Sequence, residues 1–371
     1  MIRYLTAGES HGLGLTVIIE GFPSGVFLDT PFLQGFLKTR QYFVGRSRRS
    51  LWEKNAFHVL SGIAHEKTTG APLTFFIEND PQSQKIPLTQ ESKWIPRPGH
   101  ADLVGLMKYN HENIQTVWER SSGRETAART LCGALCLSFL KSFGIQSLSH
   151  VTNIGGIDAR NEISFEEIEQ RIENSSLLCA DPIKETLMKE KIEAAFQEKT
   201  SVGGVFEVRV KGAPLGLGSY VHWNRKLDAE ISRALLSIQG IKGVEFGLGF
   251  DYAKTPGHLA HDEITGTFPK NIQRTTNRAG GIEGGMTNGE EIIARAVVKP
   301  PSTLLKPLSS LNIKTNEKAP SLVTRTDVCF VPSCAIVGQA VTGIAITNAF
   351  LEKFGGDSLE EIKNHYDTHI Q

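Results

Sequence analysis

Two short segments of the 371-residue chain place a histidine beside other residues that can take part in proton transfer. Residues 8–12 read Gly-Glu-Ser-His-Gly, and residues 97–102 read Arg-Pro-Gly-His-Ala-Asp. Glycine permits turns with positive φ and lets a ligand approach the backbone, and histidine titrates near neutral pH. We therefore predict acid–base roles for His11 and His100. The alternative for each is a histidine that only stabilises its turn.

Positive charge is concentrated in residues 40–54. This segment contains Arg40, Arg46, Arg48, Arg49 and Lys54 but a single acid, Glu53. The whole chain has 40 Lys plus Arg and 40 Asp plus Glu, so its net charge is zero and the cluster is a local feature. Such a cluster attracts an anion, either the phosphate of a metabolite or a nucleic-acid backbone. The alternative is a solvated charged loop.

A predicted helix start near Arg120 is a second candidate anion site. Ser122 and Glu125 have the spacing of a capping box, and Gly144 is a typical C-terminal stop. The apolar positions between them recur at helical spacing: Ala128, Leu131, Leu135 and Phe139. The free N–H groups and dipole of a helix start favour anions, and an arginine with two serine hydroxyls strengthens that preference. An ordinary capped helix with solvated arginines is the alternative.

A glycine-rich segment at residues 277–289 contains two Gly-Gly pairs. It indicates either a loop that folds tightly around a flat or anionic ligand or a mobile loop. Its spacing fits neither a dinucleotide fingerprint nor a P-loop. Residues 299–303, Lys-Pro-Pro-Ser-Thr, follow the next predicted strand and offer a lysine and two hydroxyls to a phosphate.

The elements that must position these residues form runs of strands separated by helices. Strands are predicted at residues 15–20, 57–62, 73–78, 206–210, 244–250 and 292–299. Helices are predicted after the capping residues Ser164, Asp181, Asp228 and Ser358, and a hydrophobic helix from about Ser333 to Phe354. Because the order lacks regular βαβ alternation, we expect an α+β fold in one intertwined domain spanning residues 1–371.

Bulk composition favours a soluble cytoplasmic protein. Hydrophobic residues make up 40% of the chain, and we expect no signal peptide and no membrane span. The five cysteines form no CxxC pair, which predicts buried thiols rather than a metal site. Zero net charge argues against nucleic acid as the partner, and the basic loop has no stacking-aromatic motif beside it.

Taken together, these motifs resemble those of the chorismate synthases. The resemblance rests on residues 8–12, 97–102, 120–126 and 279–285, with residues 237–245 as a fifth motif in the same order. It covers nearly the whole chain. It implies a β-α-β sandwich fold, a homotetramer, and conversion of 5-enolpyruvylshikimate-3-phosphate to chorismate with release of phosphate. That 1,4-elimination, the last common step of the shikimate pathway, needs reduced FMN without net redox change, and NADPH is a possible reductant.

The resemblance also implies roles for individual residues. His11 would protonate the departing phosphate, His100 would act on the flavin, and Asp327 would assist proton removal. Cofactor contacts are expected from Arg40, Arg46, Arg120, Ser121, Ser122, Gln239, Gly240, Gly284, Lys299, Pro300, Pro301, Ser302, Thr303 and Arg325. Substrate contacts are expected from Ser10, Arg48, Arg124 and Arg129. Arg40 and Arg46 fall where the family places residues assigned to NADPH and close to substrate.

The chain departs from the family pattern in three places. The family usually reads Gly-Arg-His-Asp-Pro-Cys where residues 324–329 read Thr-Arg-Thr-Asp-Val-Cys. Gly338-Gln339 stands where a carboxylate is usual, and Gly240 replaces a small apolar residue. These changes keep Asp327 but alter its surroundings. They leave open a weakened paralogue that binds flavin or phosphorylated metabolites without efficient turnover.

Overall fold

The computed structural model describes residues 1–47, 53–81, 92–160, 163–269, 271–323 and 327–370. Two antiparallel sheets enclose layers of helices. The first sheet has the order β1-β2-β6-β3, formed by Arg3–Gly8, Gly14–Glu20, Leu73–Glu78 and Phe57–Ser61. The second has the order β10-β15-β9-β7-β8, formed by Ile241–Phe246, Ile292–Val298, Gly204–Lys211, Gln146–Ile154 and Ile157–Asp158.

Both sheets bury one apolar face, as their sequence alternation predicts. In β9, Phe206, Val208 and Val210 are buried against the helices, while the intervening Glu207 and Arg209 lie on the opposite face of the sheet, where they too are buried. In β2, Leu15, Val17 and Ile19 do the same. The alternation therefore fixes which side of each sheet meets the helices.

Ten helices lie in the described part of the chain. They are α1 (Thr30–Thr39), α2 (Asp102–Tyr109), α3 (Gln115–Ser121), α4 (Thr126–Lys141), α5 (Phe165–Ile172), α6 (Pro182–Gln197), α7 (Leu227–Leu236), α8 (Gly257–Ala260), α9 (Val331–Phe354) and α10 (Leu359–Ile370). Helix α4 packs on the first sheet and α9 on the second, and the two helices cross closely. Gly133 makes this crossing possible, because a Cβ there would lie 2.4 Å from the backbone oxygen of Ala340.

Short elements complete the chain. Four two-stranded ribbons pair Ile63–Ala64 (β4) with Lys67–Thr68 (β5), Ile264–Thr267 (β11) with Asn271–Arg274 (β12), Ile282–Glu283 (β13) with Met286–Thr287 (β14), and Ser309–Asn312 (β16) with Glu317–Pro320 (β17). Tight 3₁₀ turns occur at Ser92–Trp94, Gly123–Glu125, Trp223–Arg225 and Gly249–Lys254. The glycine-rich segment contains the β13–β14 ribbon and is therefore an ordered hairpin.

The α+β sandwich confirms the expected fold class. Helix α9 is long and apolar enough to cross a membrane by length and composition, but 78% of its most apolar window is buried inside the protein. It is the central helix of the core. The cysteines of the chain are likewise buried free thiols.

Three local predictions need correction. Ser122 caps the 3₁₀ turn by accepting a hydrogen bond from the N–H of Arg124 at 3.3 Å, so the capping box with Glu125 is wrong. Glu125 instead accepts from Thr6 at 2.8 Å. Asp228, which was predicted to cap α7, lies inside its first turn, and Lys226 is the residue that precedes the helix. The strand predicted to reach residue 250 ends at Phe246, where a 3₁₀ turn follows.

Candidate active site

A cavity of about 530 Å³ lies where the first sheet, the α3–α4 junction and the N-terminus of α9 meet. Its volume is in the range typical of small-molecule sites. The predicted site residues that line it are His11, Arg40, Arg46, His100, Ser121, Ser122, Arg124, Gln239, Gly240, Lys299, Pro301, Ser302, Thr303 and Asp327. Residues distant in the sequence therefore converge on one site.

His11 is held in a turn that is fixed by hydrogen bonds. Ser10, which is 2% exposed, places its hydroxyl 2.8 Å from Nδ1 of His11. The N–H of Ser10 donates to the carbonyl of Glu119 in α3 at 3.1 Å. Asn79 secures the turn by donating to two of its carbonyls, each at 2.9 Å. Ser10 thus contacts His11 and does not itself line the cavity.

His100 is a neutral histidine with both ring nitrogens close to polar groups. Its Nδ1 lies 3.2 Å from the carbonyl of Pro98, and its Nε2 lies 3.1 Å from the hydroxyl of Thr303. A carbonyl can only accept, so Nδ1 carries the proton and Nε2 accepts from the hydroxyl. Burial and the nearby charge of Arg97 lower the pKa of His100 to about 4. At neutral pH the imidazole is therefore uncharged.

The segment after β15 closes over the His100 loop. Lys299 donates to the carbonyl of Gly99, and the hydroxyl of Ser302 lies 3.3 Å from the same carbonyl. Burial, followed by the charge of Lys242, lowers the pKa of the Lys299 ammonium. The predicted phosphate-binding segment thus contributes a cation and the hydroxyls of Ser302 and Thr303 to the cavity.

Asp327 is held by a cation and a backbone donor. Nη1 of Arg46 lies 2.6 Å from one carboxylate oxygen, and the N–H of Ser47 lies 2.7 Å from the other. Both partners are in the basic segment that the sequence singled out. The described part of this segment up to Ser47 therefore faces the site.

Arg40 is buried without a carboxylate partner among the described residues. It is 6% exposed and donates a hydrogen bond to the hydroxyl of Thr126 at 3.0 Å. Its buried Nε makes no hydrogen bond with the described residues. Burial, then the charges of Arg124 and Arg46, lower the pKa of Arg40 to about 9. A buried guanidinium in this state favours an incoming anion.

The other arginines of the cavity are compensated. Arg97 forms a two-point pair with Asp102, at 2.8 Å for both bonds. Arg124 lines the cavity and lies 3.2 Å from Glu53, and its contact with substrate stays a prediction. Arg40 and Lys299 are thus the cavity cations that lack an acidic partner in the described ranges. These two positions mark where anionic groups are best accepted.

Several predicted site residues lie elsewhere. Arg129 is buried and binds Glu125 and the Ser237 hydroxyl, the latter at 2.7 Å, so it connects α4 to the turn before β10. Arg120 donates to the carbonyl of Thr6 at 2.8 Å and borders a neighbouring cavity. Pro300 does not line the cavity, and Gly284 lies in the β13–β14 hairpin, outside its lining. Arg48 and Arg325 lie outside the described residues.

Sequence reasoning missed several lining residues, and Trp118 and Phe330 are two of them. Trp118 lies in α3, one turn before Ser121 and Ser122, and helical spacing could have placed it on the same face. Phe330 precedes α9 and contributes an apolar wall. No local sequence signal identifies Phe330, because its position depends on how α9 packs.

Comparisons with known proteins identify the relatives of the chain. A family model described as chorismate synthase matches residues 2–351. The chain is 46% identical over 397 residues to the chorismate synthase of Geobacter metallireducens, covering 100% of the chain and 98% of that protein. The chain belongs to the chorismate synthase family. It is also 46% identical over 377 residues to the chorismate synthase of Alkaliphilus metalliredigens, covering 100% of the chain and 99% of that protein.

The fold agrees with this assignment. A structure entitled "Crystal Structure of Chorismate Synthase" superposes with a TM-score of 0.81 at 35% identity, covering 100% of the chain and 97% of that structure. The activity of the chain is accordingly that of a phosphate-eliminating lyase, chorismate formation at the last common step of the shikimate pathway. The family uses reduced FMN.

The departures from the usual family pattern have structural counterparts. Val328 donates its N–H to the carbonyl of Gly45 at 2.8 Å, a bond that the usual proline cannot make. Gln339 lies beside β7 and donates to the carbonyl of Ser147 at 2.6 Å. At Gly240, φ is +93° and a Cβ would lie 2.9 Å from the ring of Phe330. Thr326 lies outside the described residues.

Proposed function

We propose that phosphate leaves 5-enolpyruvylshikimate-3-phosphate in this cavity. The observation that carries the proposal is the pair of cations without acidic partners, Arg40 and Lys299, beside two histidines and Asp327. The substrate carries one phosphate and two carboxylates, so its binding needs more than one cation. Charge-assisted hydrogen bonds to buried donors are strong because little water competes.

His11 is the proposed proton donor to the departing phosphate. Its Nδ1 is occupied by the hydroxyl of Ser10, so the ring is held in one orientation in the turn. A fixed donor lowers the barrier because its orientation does not have to be found during the reaction. The phosphate leaves as a better leaving group once it is protonated.

Asp327 is proposed to assist removal of the proton that the substrate loses, and His100 is proposed to act on the flavin. The Asp327 carboxylate lies between Arg46 and the N–H of Ser47, and a carboxylate can accept a proton. His100 is neutral and its Nε2 faces Thr303 as an acceptor, so it can take up a proton when an anion occupies the cavity. Elimination then forms a carbon–carbon double bond as one proton and the phosphate depart.

The residues of the cavity fit reduced FMN. The volume, the unsatisfied buried Nε atoms of Arg40 and Arg46, and the excess of cations suit a flat ligand with a phosphate group. The residues that would hold it are Arg40, Arg46, Ser121, Ser122, Gln239, Gly240, Lys299, Pro301, Ser302 and Thr303. When bound, reduced FMN supplies an electron-rich ring with a titrating nitrogen and is not consumed.

Three further properties belong to the same proposal. NADPH is a candidate reductant for the flavin, with Arg40 and Arg46 as its cationic contacts. A homotetramer is supported by large exposed apolar side chains such as Val104, Met107 and Phe268, which are 70%, 71% and 85% exposed. A cytoplasmic location is supported by the buried free thiols. Light scattering on a sizing column tests the tetramer.

An anaerobic assay tests the proposed function. Purified protein, dithionite-reduced FMN and 5-enolpyruvylshikimate-3-phosphate are mixed, and chorismate absorbance and phosphate release are followed together. We expect equal amounts of both products, and none when the flavin is oxidised. Replacing dithionite with NADPH and oxidised FMN tests intrinsic reduction. Flavin binding without product would favour the weakened paralogue.

A further inference from the structure

Trp118 connects the two histidine-bearing segments of the cavity. Its ring centroid lies 5.3 Å from that of His11, with the planes tilted by 39°. The guanidinium carbon of Arg97 lies 4.9 Å from the same indole ring centroid. Arg97 begins the loop that carries His100. The indole is thus in contact with both loops.

One side of this arrangement is rigid. Arg97 donates twice to Asp102, which is 0% exposed, and its backbone N–H donates to the same carboxylate at 3.0 Å. The guanidinium is therefore fixed relative to α2. A cation over an indole face gains electrostatic attraction in addition to packing. The Trp118 ring therefore contacts a fixed guanidinium at one point and the His11 ring at another.

Core packing does not explain the choice of tryptophan here. Trp118 is only partly buried and lines the cavity, while its neighbour Val117 is the buried residue of α3 that packs against Gly105 of α2. An aliphatic residue could cover the same space. It could not supply an aromatic face to an imidazole and a guanidinium at once.

We propose that Trp118 is a positioning residue for the elimination. Its indole holds the imidazole of His11 against the fixed Arg97–Asp102 pair and so sets the spacing between the two histidine-bearing loops. The inference rests on the proposed role of His11 as proton donor. Loss of the aromatic face would displace the donor without removing it, which lowers kcat more than it raises KM.

The test is a double-mutant cycle with a conservative rescue. We expect W118L to lower kcat by about 10- to 100-fold with KM for the phosphorylated substrate nearly unchanged. W118F keeps an aromatic face and should stay close to wild type. In an H11N background, W118L should cost less than about twofold further, because the donor that it positions is gone. W223L, at a tryptophan that is 74% exposed, is the matched control.

The outcomes separate this inference from the proposed function. If H11N retains full turnover, the role of His11 is wrong. If H11N is impaired but W118L equals wild type, or W118L lowers kcat equally in both backgrounds, the positioning role of Trp118 is overturned and the proposed function stands. Thermal unfolding of each variant checks that the fold is intact.

A second measurement needs neither flavin nor substrate. The emission of Trp118 is obtained by subtracting the fluorescence spectrum of W118F from that of wild type. We expect H11N to change this difference spectrum, since the imidazole touches the indole, while W223F leaves it unchanged. An unaltered difference spectrum in H11N would show that the ring contact is absent in solution.

Discussion

The outer face of the second sheet and the cavity both bury charged side chains, but they balance them differently. On the sheet, Glu245, Arg295, Glu207 and His150 lie directly opposite one another across β10, β15, β9 and β7, and we call this row the charge ladder. Arg295 lies 2.6 Å from Glu245 and 3.1 Å from Glu207, which lies 3.0 Å from His150. Arg295 of the ladder thus has an acidic neighbour on each side.

In the cavity, two cations form no ion pair with a carboxylate in the described ranges. Arg40 and Lys299 are desolvated, which costs free energy, and the charge of Glu53 offsets only part of this cost at Arg40. The contrast teaches that burial of charge alone does not mark a ligand site. What marks it is burial of charge that the fold leaves uncompensated.

The largest expected effect compares three histidines. Replacing His11 or His100 with Ala should lower turnover by roughly two to four orders of magnitude, because each is proposed to move a proton. Replacing His150 with Ala should leave turnover nearly unchanged and lower the free energy of unfolding by about 1–3 kcal/mol, because Glu207 loses a buried hydrogen-bond partner. Steady-state kinetics and urea unfolding of the three variants test this. Near-normal turnover of H11A or H100A would remove that residue from the mechanism.

The next effect compares two arginines. R40M should lower kcat/KM by about 100-fold, since a buried charged contact to the ligand is lost, while stability stays equal or rises because an unpaired buried cation is removed. R295M should leave kcat/KM nearly unchanged. It should lower the free energy of unfolding by about 3 kcal/mol, because two carboxylates of the ladder lose their cation. Kinetics and unfolding curves on the same preparations measure both. If R40M were less stable than R295M, Arg40 would not be the uncompensated cation and Arg295 would not be the compensated one.

The two regions should also titrate in different pH windows. The folded pKa of His100, about 4, lies below the ordinary 6.5, so the unfolded chain binds more protons and stability falls as pH decreases from about 6.5 to 4. Burial raises the pKa of Glu207, but the hydrogen bond and charge of His150 and the charge of Arg209 outweigh it and lower the pKa to about 2. Its stabilisation is complete above about 4.5 and is lost as pH falls towards 2.

Unfolding free energies measured between pH 3 and pH 8 test these windows. H100Q should flatten the curve between about pH 6.5 and 4, by about 3 kcal/mol at most, and leave the more acidic part unchanged. E207Q should flatten it below about pH 4.5 only. Equal curves for wild type and H100Q would mean that His100 is not held neutral by the fold.

The smallest expected effect compares two glycines beside aromatic rings. A Cβ at Gly240 would lie 2.9 Å from the ring of Phe330 on the cavity wall, and one at Gly338 would lie 2.4 Å from the ring of Phe206 in the core. Phe330 borders open space and can move, whereas Phe206 is 0% exposed. G338A should cost about 1–3 kcal/mol through overpacking, whereas the cost of G240A should come mainly from the strain of an alanine at a φ of +93°.

Flavin affinity makes the Gly240 comparison sharper. Because the displaced ring of Phe330 would enter the cavity, G240A should weaken FMN binding, measured by quenching of flavin fluorescence. F330V in the same chain should restore it by removing the clash. Equal affinities for wild type and G240A would mean that the ring yields without entering the cavity.

The sequence predicted most of the fold because the signals involved are local. The alternation of β9, the caps at Ser164 and Asp181 and the stop at Gly355 act within a few residues, and the structure confirms them. The error at Asp228 has the same origin, since a capping residue and a first-turn acid look alike in sequence. Tertiary contacts decide between them.

The site was less accessible to sequence reasoning. His11, His100 and the basic segment could be named as candidates, but their meeting depends on the packing of α3, α4 and α9. Arg129 illustrates the limit, because its place among site arginines in the sequence does not reveal that Glu125 and Ser237 occupy its guanidinium. Whether a cation is compensated by its neighbours is a property of the folded chain.

Segments that are far apart in the sequence, and are therefore synthesised at different times, contact each other in the folded chain. The side chain of Asn348 makes two hydrogen bonds to the backbone of Ile2. It accepts one from the N–H of Ile2 at 2.6 Å and donates one to the carbonyl of Ile2 at 3.2 Å. The cavity itself is walled by residues as far apart as His11 and Val337. During translation, the arginines of the basic segment emerge long before the carboxylate of Asp327 that will meet Arg46. The cavity therefore forms only after the segment that contains Asp327 and Val337 has been synthesised.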